Sequence, residues 1–235
     1  MKSKILRMTP DTKSVLALTA LAVAASGIAW APAALAGSSK LPEHFSGLLN
    51  DYTPRSSTAG TPYEMHGSWS LHLREDRGTA TFSAEMTMET ADFANSDPSF
   101  NPTNLGAHTH HISVTDGVIH NDPTDPINWK TACPTFKIPV AGGFVVTGTA
   151  YVVGNGGNPP FGNPSALTIC ILGGMQNPSI AGTQALVEFS NFTLKFGATS
   201  PASTHFGSQP INGVVTGCER PWTHESEDCK VELVE

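Results

Sequence analysis

Two neighbouring segments alternate strictly between apolar and polar residues, and this pattern limits the chain to a β-sheet fold. In residues 79–89 every second side chain is Ala, Phe or Met, and those between are Thr, Ser or Glu. Residues 63–74 alternate in the same way. A period of two is typical of a strand with one buried face. The intervening Glu75-Asp76-Arg77-Gly78 has its glycine at the end, so we predict a hairpin.

The same pattern recurs along the chain and predicts an all-β fold. Further strands are predicted at 109–115, 143–152, 165–172 and 184–197, with an early one near 47–51 and a last one near 213–216. The apolar parity of 184–197 changes at Ser190-Asn191, which indicates a β-bulge or a strand that serves two cores. No stretch after Ala36 has a helical period. We predict a single antiparallel β-sandwich or β-barrel domain.

Long polar connections separate several of these strands. Residues 92–106, 115–134 and 154–164 are rich in Pro, Asn, Asp or Gly and are predicted to be loops. Loops of this length in a compact domain are often functional.

The N-terminus has the features of a secretory signal peptide. A basic region precedes an apolar run over 15–30, and Ala34-Leu35-Ala36 matches a cleavage site. The run is shorter than the roughly 20 residues of a membrane-spanning helix. We therefore predict a signal peptide over 1–36, cleavage after Ala36, a single all-β domain over 37–235 without a transmembrane span, and a secreted or periplasmic location.

The predicted mature chain is acidic. Removing residues 1–36 takes away four basic residues and one acidic residue, which leaves 9 basic and 19 acidic residues and a net charge of −10. This balance argues against nucleic acid and anionic membranes, which select clusters of Lys and Arg. The expected partner is a metal ion or a small molecule, and the oligomeric state stays open.

All four cysteines lie in the predicted mature chain, which indicates disulfides in an exported protein. Three connectivities are open, and we favour Cys133 with Cys170 and Cys218 with Cys229. A zinc-thiolate site would need close C-x-x-C pairs, which this sequence lacks.

Three histidines fall within four positions at the start of one predicted strand. Strand alternation places His108 and His110 on the apolar face with Ile112, and it points His111 the other way. His-x-His on a strand holds two imidazoles about 6–7 Å apart at Cα, close enough for both rings to reach one ion. Imidazole suits copper and zinc. We predict that His108 and His110 bind one of these metals.

A third ligand must come from elsewhere in the chain. We rank His66 first, His205 second and His120 third, and His224 is a further candidate. His66 and His72 lie six residues apart on one strand, roughly 20 Å, so they do not both join one site.

Residues 106–110, Gly-Ala-His-Thr-His, resemble the Gly-x-His-x-His of copper/zinc superoxide dismutases, a family of β-sandwiches with a disulfide. Thr109 replaces an aliphatic residue, and the bridging-histidine loop and the Gly-rich, Arg-containing segment of that family have no counterpart here. The pair also resembles the His-x-His of cupins, whose glutamate is replaced by Val114 and Thr115. We transfer no activity from either resemblance.

The leading hypothesis is an exported metal carrier or small metalloenzyme, and two alternatives stay open. One is a non-catalytic extracellular binding or surface-assembly module whose loops contact a glycan or a protein. The other is a barrel with a polar lumen, lined by His72, Arg74 and Glu85, that binds a small molecule. Catalytic residues are not assigned, since no Gly-x-Ser-x-Gly nucleophile turn is present.

Overall fold

The strands pair in the order of the sequence, and the eighth returns to the first. A computed structural model describes residues 41–52, 63–90, 107–134, 140–154, 162–176, 186–219 and 229–232. The strands are β1 (His44–Tyr52), β2 (Tyr63–Arg74), β3 (Thr79–Thr90), β4 (His108–His120), β5 (Gly142–Gly154), β6 (Ser165–Gln176), β7 (Leu186–Phe196), β8 (Ile211–Glu219) and β9 (Lys230–Glu232). β1 to β8 form a closed antiparallel barrel, and β9 pairs with the start of β7. The all-β prediction is confirmed, and the barrel is the architecture observed.

The barrel interior is filled with apolar side chains that alternate with outward-facing residues along β1 to β8, with a change of parity in β4 and β7. Phe45, Leu71, Phe82 and Phe189 are among the buried side chains of this core. The predicted hairpin is confirmed: its register pairs Leu71 with Phe82, and Gly78 ends the turn with φ 64°.

The outer face of the first hairpin is polar. His72, Arg74 and Glu85 are exposed on this face, opposite in parity to the buried Leu71 and Ala84. Because these three side chains point away from the core, they do not line the barrel interior. The alternative with a polar lumen formed by these residues is therefore wrong.

Two of the register shifts in the barrel wall bear on the sequence predictions. In the pairing of β6 with β7, Leu172 is opposite Asn191 and Gly173 is opposite Phe189, so Ser190 is the extra residue of the predicted bulge. Both sides of this bulge contribute to one core. The predicted loop over 115–134 was wrong in its first part, because β4 continues to His120 after a break in its register with β5 between Val114 and Val118. Because β4 is irregular at this break, its sequence does not show one continuous alternation of apolar and polar residues.

A short helix and a disulfide cover part of the outer wall. The side chain of Asn128 accepts hydrogen bonds from two backbone N–H groups of α1 (Trp129–Ala132). Cys133 then bonds to Cys170 of β6, and Val145, Cys170 and Leu172 form a small second apolar cluster with the helix. The other bridge joins Cys218 and Cys229. Both are the pairings that the sequence analysis favoured.

The predicted signal peptide over 1–36 lies outside the described residues, and so does the predicted cleavage site. All described residues belong to one compact unit, Pro32–Glu235. Among them, no helix is long and apolar enough to cross a membrane.

Candidate metal centre

The histidine pair lies at the beginning of β4, where the strand enters one end of the barrel. His110 is 2% exposed and continues the buried parity of Ile112 and Val114. His108 is half-buried one step nearer the rim, and His111 is exposed on the outer face. Strand alternation thus separates His111 from the other two, as the sequence predicts.

A third histidine comes from the connection between β7 and β8. This connection contains α2 (Ser203–Phe206), whose Phe206 is 1% exposed and stacks on Phe196 at 5.0 Å between ring centroids. The buried hydroxyl of Ser165, at the start of β6, accepts a hydrogen bond of 3.0 Å from the backbone N–H of Ala202. Because these contacts hold α2 against the end of the barrel, the adjacent His205 reaches β4.

The ring nitrogens of the three histidines converge. Nε2 of His205 lies 3.3 Å from Nε2 of His108 and 3.1 Å from Nε2 of His110. One ligand nitrogen from each residue falls within 4.8 Å of the other two. A tetrahedral ion with metal–nitrogen bonds of 2.0–2.1 Å separates its ligand nitrogens by about 3.3–3.4 Å. The two measured nitrogen–nitrogen distances are therefore close to those between ligands of a tetrahedral ion, and the cluster could hold a metal ion.

Aromatic rings surround the cluster. Tyr63, at the start of β2, contacts His108 edge to face with 5.2 Å between centroids. Phe206 packs at 5.1 Å from the ring of His110 and 5.0 Å from that of His205. A Cβ at Gly154 would lie 3.5 Å from Nδ1 of His110, so β5 approaches the ring closely there. These contacts fix the orientation of the imidazoles.

The surroundings keep two of the three imidazoles neutral. Burial, followed by the charges of His205 and His108, lowers the pKa of His110 to about 3. Burial, followed by the charge of His108, lowers the pKa of His205 to about 4. A metal binds the neutral ring, so at neutral pH protons compete weakly for these nitrogens.

We expect the metal-free protein to lose stability as the pH falls below 6.5. In the unfolded chain these histidines have a pKa near 6.5, so between pH 6.5 and about 4 the unfolded state binds protons that the folded state does not. The contribution of these histidines to the free energy of unfolding is complete above pH 6.5, and it declines as the pH falls from 6.5 to about 4. Urea unfolding in the presence of a chelator measures it. His205→Asn should flatten the pH dependence, and His111→Ala should not. If the free energy of unfolding had the same slope against pH in the wild type, His205→Asn and His111→Ala, the pH dependence could not be assigned to His205.

The other histidine candidates lie elsewhere. His66, ranked first from the sequence, is exposed on the outer face of β2 opposite Thr87, and it is not in the cluster. His120 lies at the outer wall, where Nδ1 is 2.9 Å from Asp125 Oδ2 and Nε2 is 2.8 Å from Thr147 Oγ1. His224 lies outside the described residues. Within the part of the chain that the structure describes, His108, His110 and His205 form the one group of this kind that could share an ion.

Comparison with known proteins identified no relative of this chain. No protein-family model, curated protein or solved structure matches this chain.

Proposed function

We propose that this chain is an exported protein that binds a transition metal, copper or zinc, through His108, His110 and His205, as a metal carrier or small metalloenzyme. The convergence of the three Nε2 atoms, at 3.1 and 3.3 Å, carries the proposal. Three imidazoles in this arrangement suit zinc and copper, whereas calcium and magnesium prefer oxygen ligands.

Two further observations support the proposal. The ligands come from separate elements, β4 and α2, that packing around Phe206 holds together. A site built in this way binds metal without first folding a loop, so little of the binding energy is lost to ordering. The disulfides Cys133–Cys170 and Cys218–Cys229 are compatible with an extracellular protein, which supports export.

We expect the purified protein to retain about one zinc or copper ion per chain, as in sites with three histidine ligands. At a free metal concentration one hundred times Kd, binding adds about 2.7 kcal/mol to the free energy of unfolding. For a domain of this size, the melting temperature then rises by roughly 5–10 °C. Elemental analysis and thermal unfolding with and without a chelator measure both effects. A protein without metal, whose unfolding is indifferent to zinc, copper and chelator, would refute the proposal.

The alternative of a glycan-binding or protein-binding module depends on the long loops. In two of the three predicted loops, residues 92–106 and 155–161 lie outside the described residues. This alternative stays a prediction, and the metal measurements distinguish it from the first.

A further inference from the structure

Methionines occupy the barrel interior directly beside the histidine pair. Met88 is opposite His108 in the pairing of β3 with β4, and Met86 is opposite His110. Met65 of β2 is opposite Met88. All three methionines are at most 1% exposed. Of the four methionines in residues 37–235, two therefore lie in the strand next to these histidines, and a third lies one strand further away.

Strand pairing brings the two thioethers within reach of the metal centre. Residues directly opposite in an antiparallel pair point to the same face, with Cβ atoms about 4.5–5.5 Å apart. Met86 and Met88 therefore share the inner face with His110 and His108. Methionine has three rotatable side-chain bonds, so its sulfur adapts to a neighbouring group.

No carboxylate accompanies the histidines in the described part of the barrel interior, although the ring of Tyr63, which carries a phenolic oxygen, contacts His108. Among the described residues, the buried polar side chains are His110, Ser165, Thr193 and Ser200, and no carboxylate is buried. Three neutral imidazoles and a thioether bring no negative charge to the ion. Because an uncompensated charge is costly in an apolar interior, such a ligand set favours a monovalent ion over a divalent one.

We propose that the ion is copper(I), bound by His108, His110 and His205 and by a thioether of Met86 or Met88. This inference rests on the proposed metal-binding function and names its metal. Thioethers are soft ligands that select copper(I), whereas zinc is ordinarily bound by imidazole, thiolate or carboxylate. The apolar surroundings and the neutral ligands favour the same ion.

The test compares copper(I) and zinc affinities in methionine variants. Copper(I) is titrated anaerobically against a chromophoric copper(I) chelator, and zinc is titrated in a separate competition. Met→Leu keeps a similar volume and removes the sulfur. In Met86→Leu/Met88→Leu we expect copper(I) affinity to fall by at least about tenfold, as loss of even an outer partner of a metal typically costs. Zinc affinity should change by less than about twofold, since imidazoles hold that ion. The two single variants identify the sulfur.

Met65→Leu is the matched control, because Met65 is equally buried but its strand partners are Met88 and Asp51 rather than a histidine. It should leave both affinities unchanged. X-ray absorption of the copper(I)-loaded wild type gives a second measurement that needs no variant, and a sulfur neighbour of copper is expected.

Copper(I) without a sulfur neighbour, or equal losses of copper(I) and zinc affinity in the double variant, would overturn the thioether assignment while leaving metal binding in place. A wild type that binds neither ion would instead refute the proposed function itself.

Discussion

The His108→Ala/His110→Ala double variant is expected to purify without the metal ion that we propose for the wild type. It keeps one of three imidazoles, and a single neutral ring does not hold zinc or copper at the dilution of a purification. Metal content should fall from about one ion per chain to less than about a tenth of that, since such sites depend on three protein ligands. Elemental analysis of proteins purified side by side measures the change.

The controls separate loss of ligands from loss of structure. His205→Ala removes a half-buried ligand without emptying the core position of His110, and it should lose the metal as well. His66→Ala removes an exposed histidine from the outer face of β2, and it should keep the full metal content. Retention of metal by His205→Ala, or its loss from His66→Ala, would show that the ion binds elsewhere.

Phe206→Ala is expected to destabilise the protein and to weaken its metal binding together. The ring is 1% exposed, stacks on Phe196 and packs against His110 and His205. Removing a buried phenylalanine costs about 3–5 kcal/mol. The variant also frees α2 to move, so His205 must be ordered when the metal binds, and affinity falls. Urea unfolding in chelator and a metal competition measure the two effects.

Phe206→Leu is the comparison for this variant. It fills most of the volume, so it should lose less stability and retain more metal affinity than Phe206→Ala. If Phe206→Ala unfolds more easily but binds metal as tightly as the wild type, then α2 does not depend on this ring to position His205.

The strands could be predicted because each buries one face. β2 was predicted over its full length and β3 to within one residue, since no irregularity interrupts their alternation. β4 was predicted too short because its register with β5 shifts after Val114. Alternation within a strand does not reveal which distant strand lies beside it. The pairing of β1 with β8, which decides between barrel and sandwich, was therefore beyond reach of the sequence.

The site was predictable where it lies on a strand. The parity that separates His111 from His108 and His110 also places His66 with the exposed Ser68, so the same rule applied to β2 excludes the candidate that was ranked first. His205 gives no such signal, because it lies on a helix of four residues between strands. Its position depends on Phe206 and on the contact of Ala202 with Ser165, which joins residues 37 apart in the chain.

Closure of the barrel by β1 and β8 also sets the order of events during synthesis. The pair joins residues 44–49 to 213–219, so β1 is synthesised well before its partner β8. The sheet therefore cannot close before β8 has been synthesised, because contacts between distant segments must wait for the later one. The histidine cluster, whose third member is His205, is likewise assembled late, so we expect the ion to be acquired after folding.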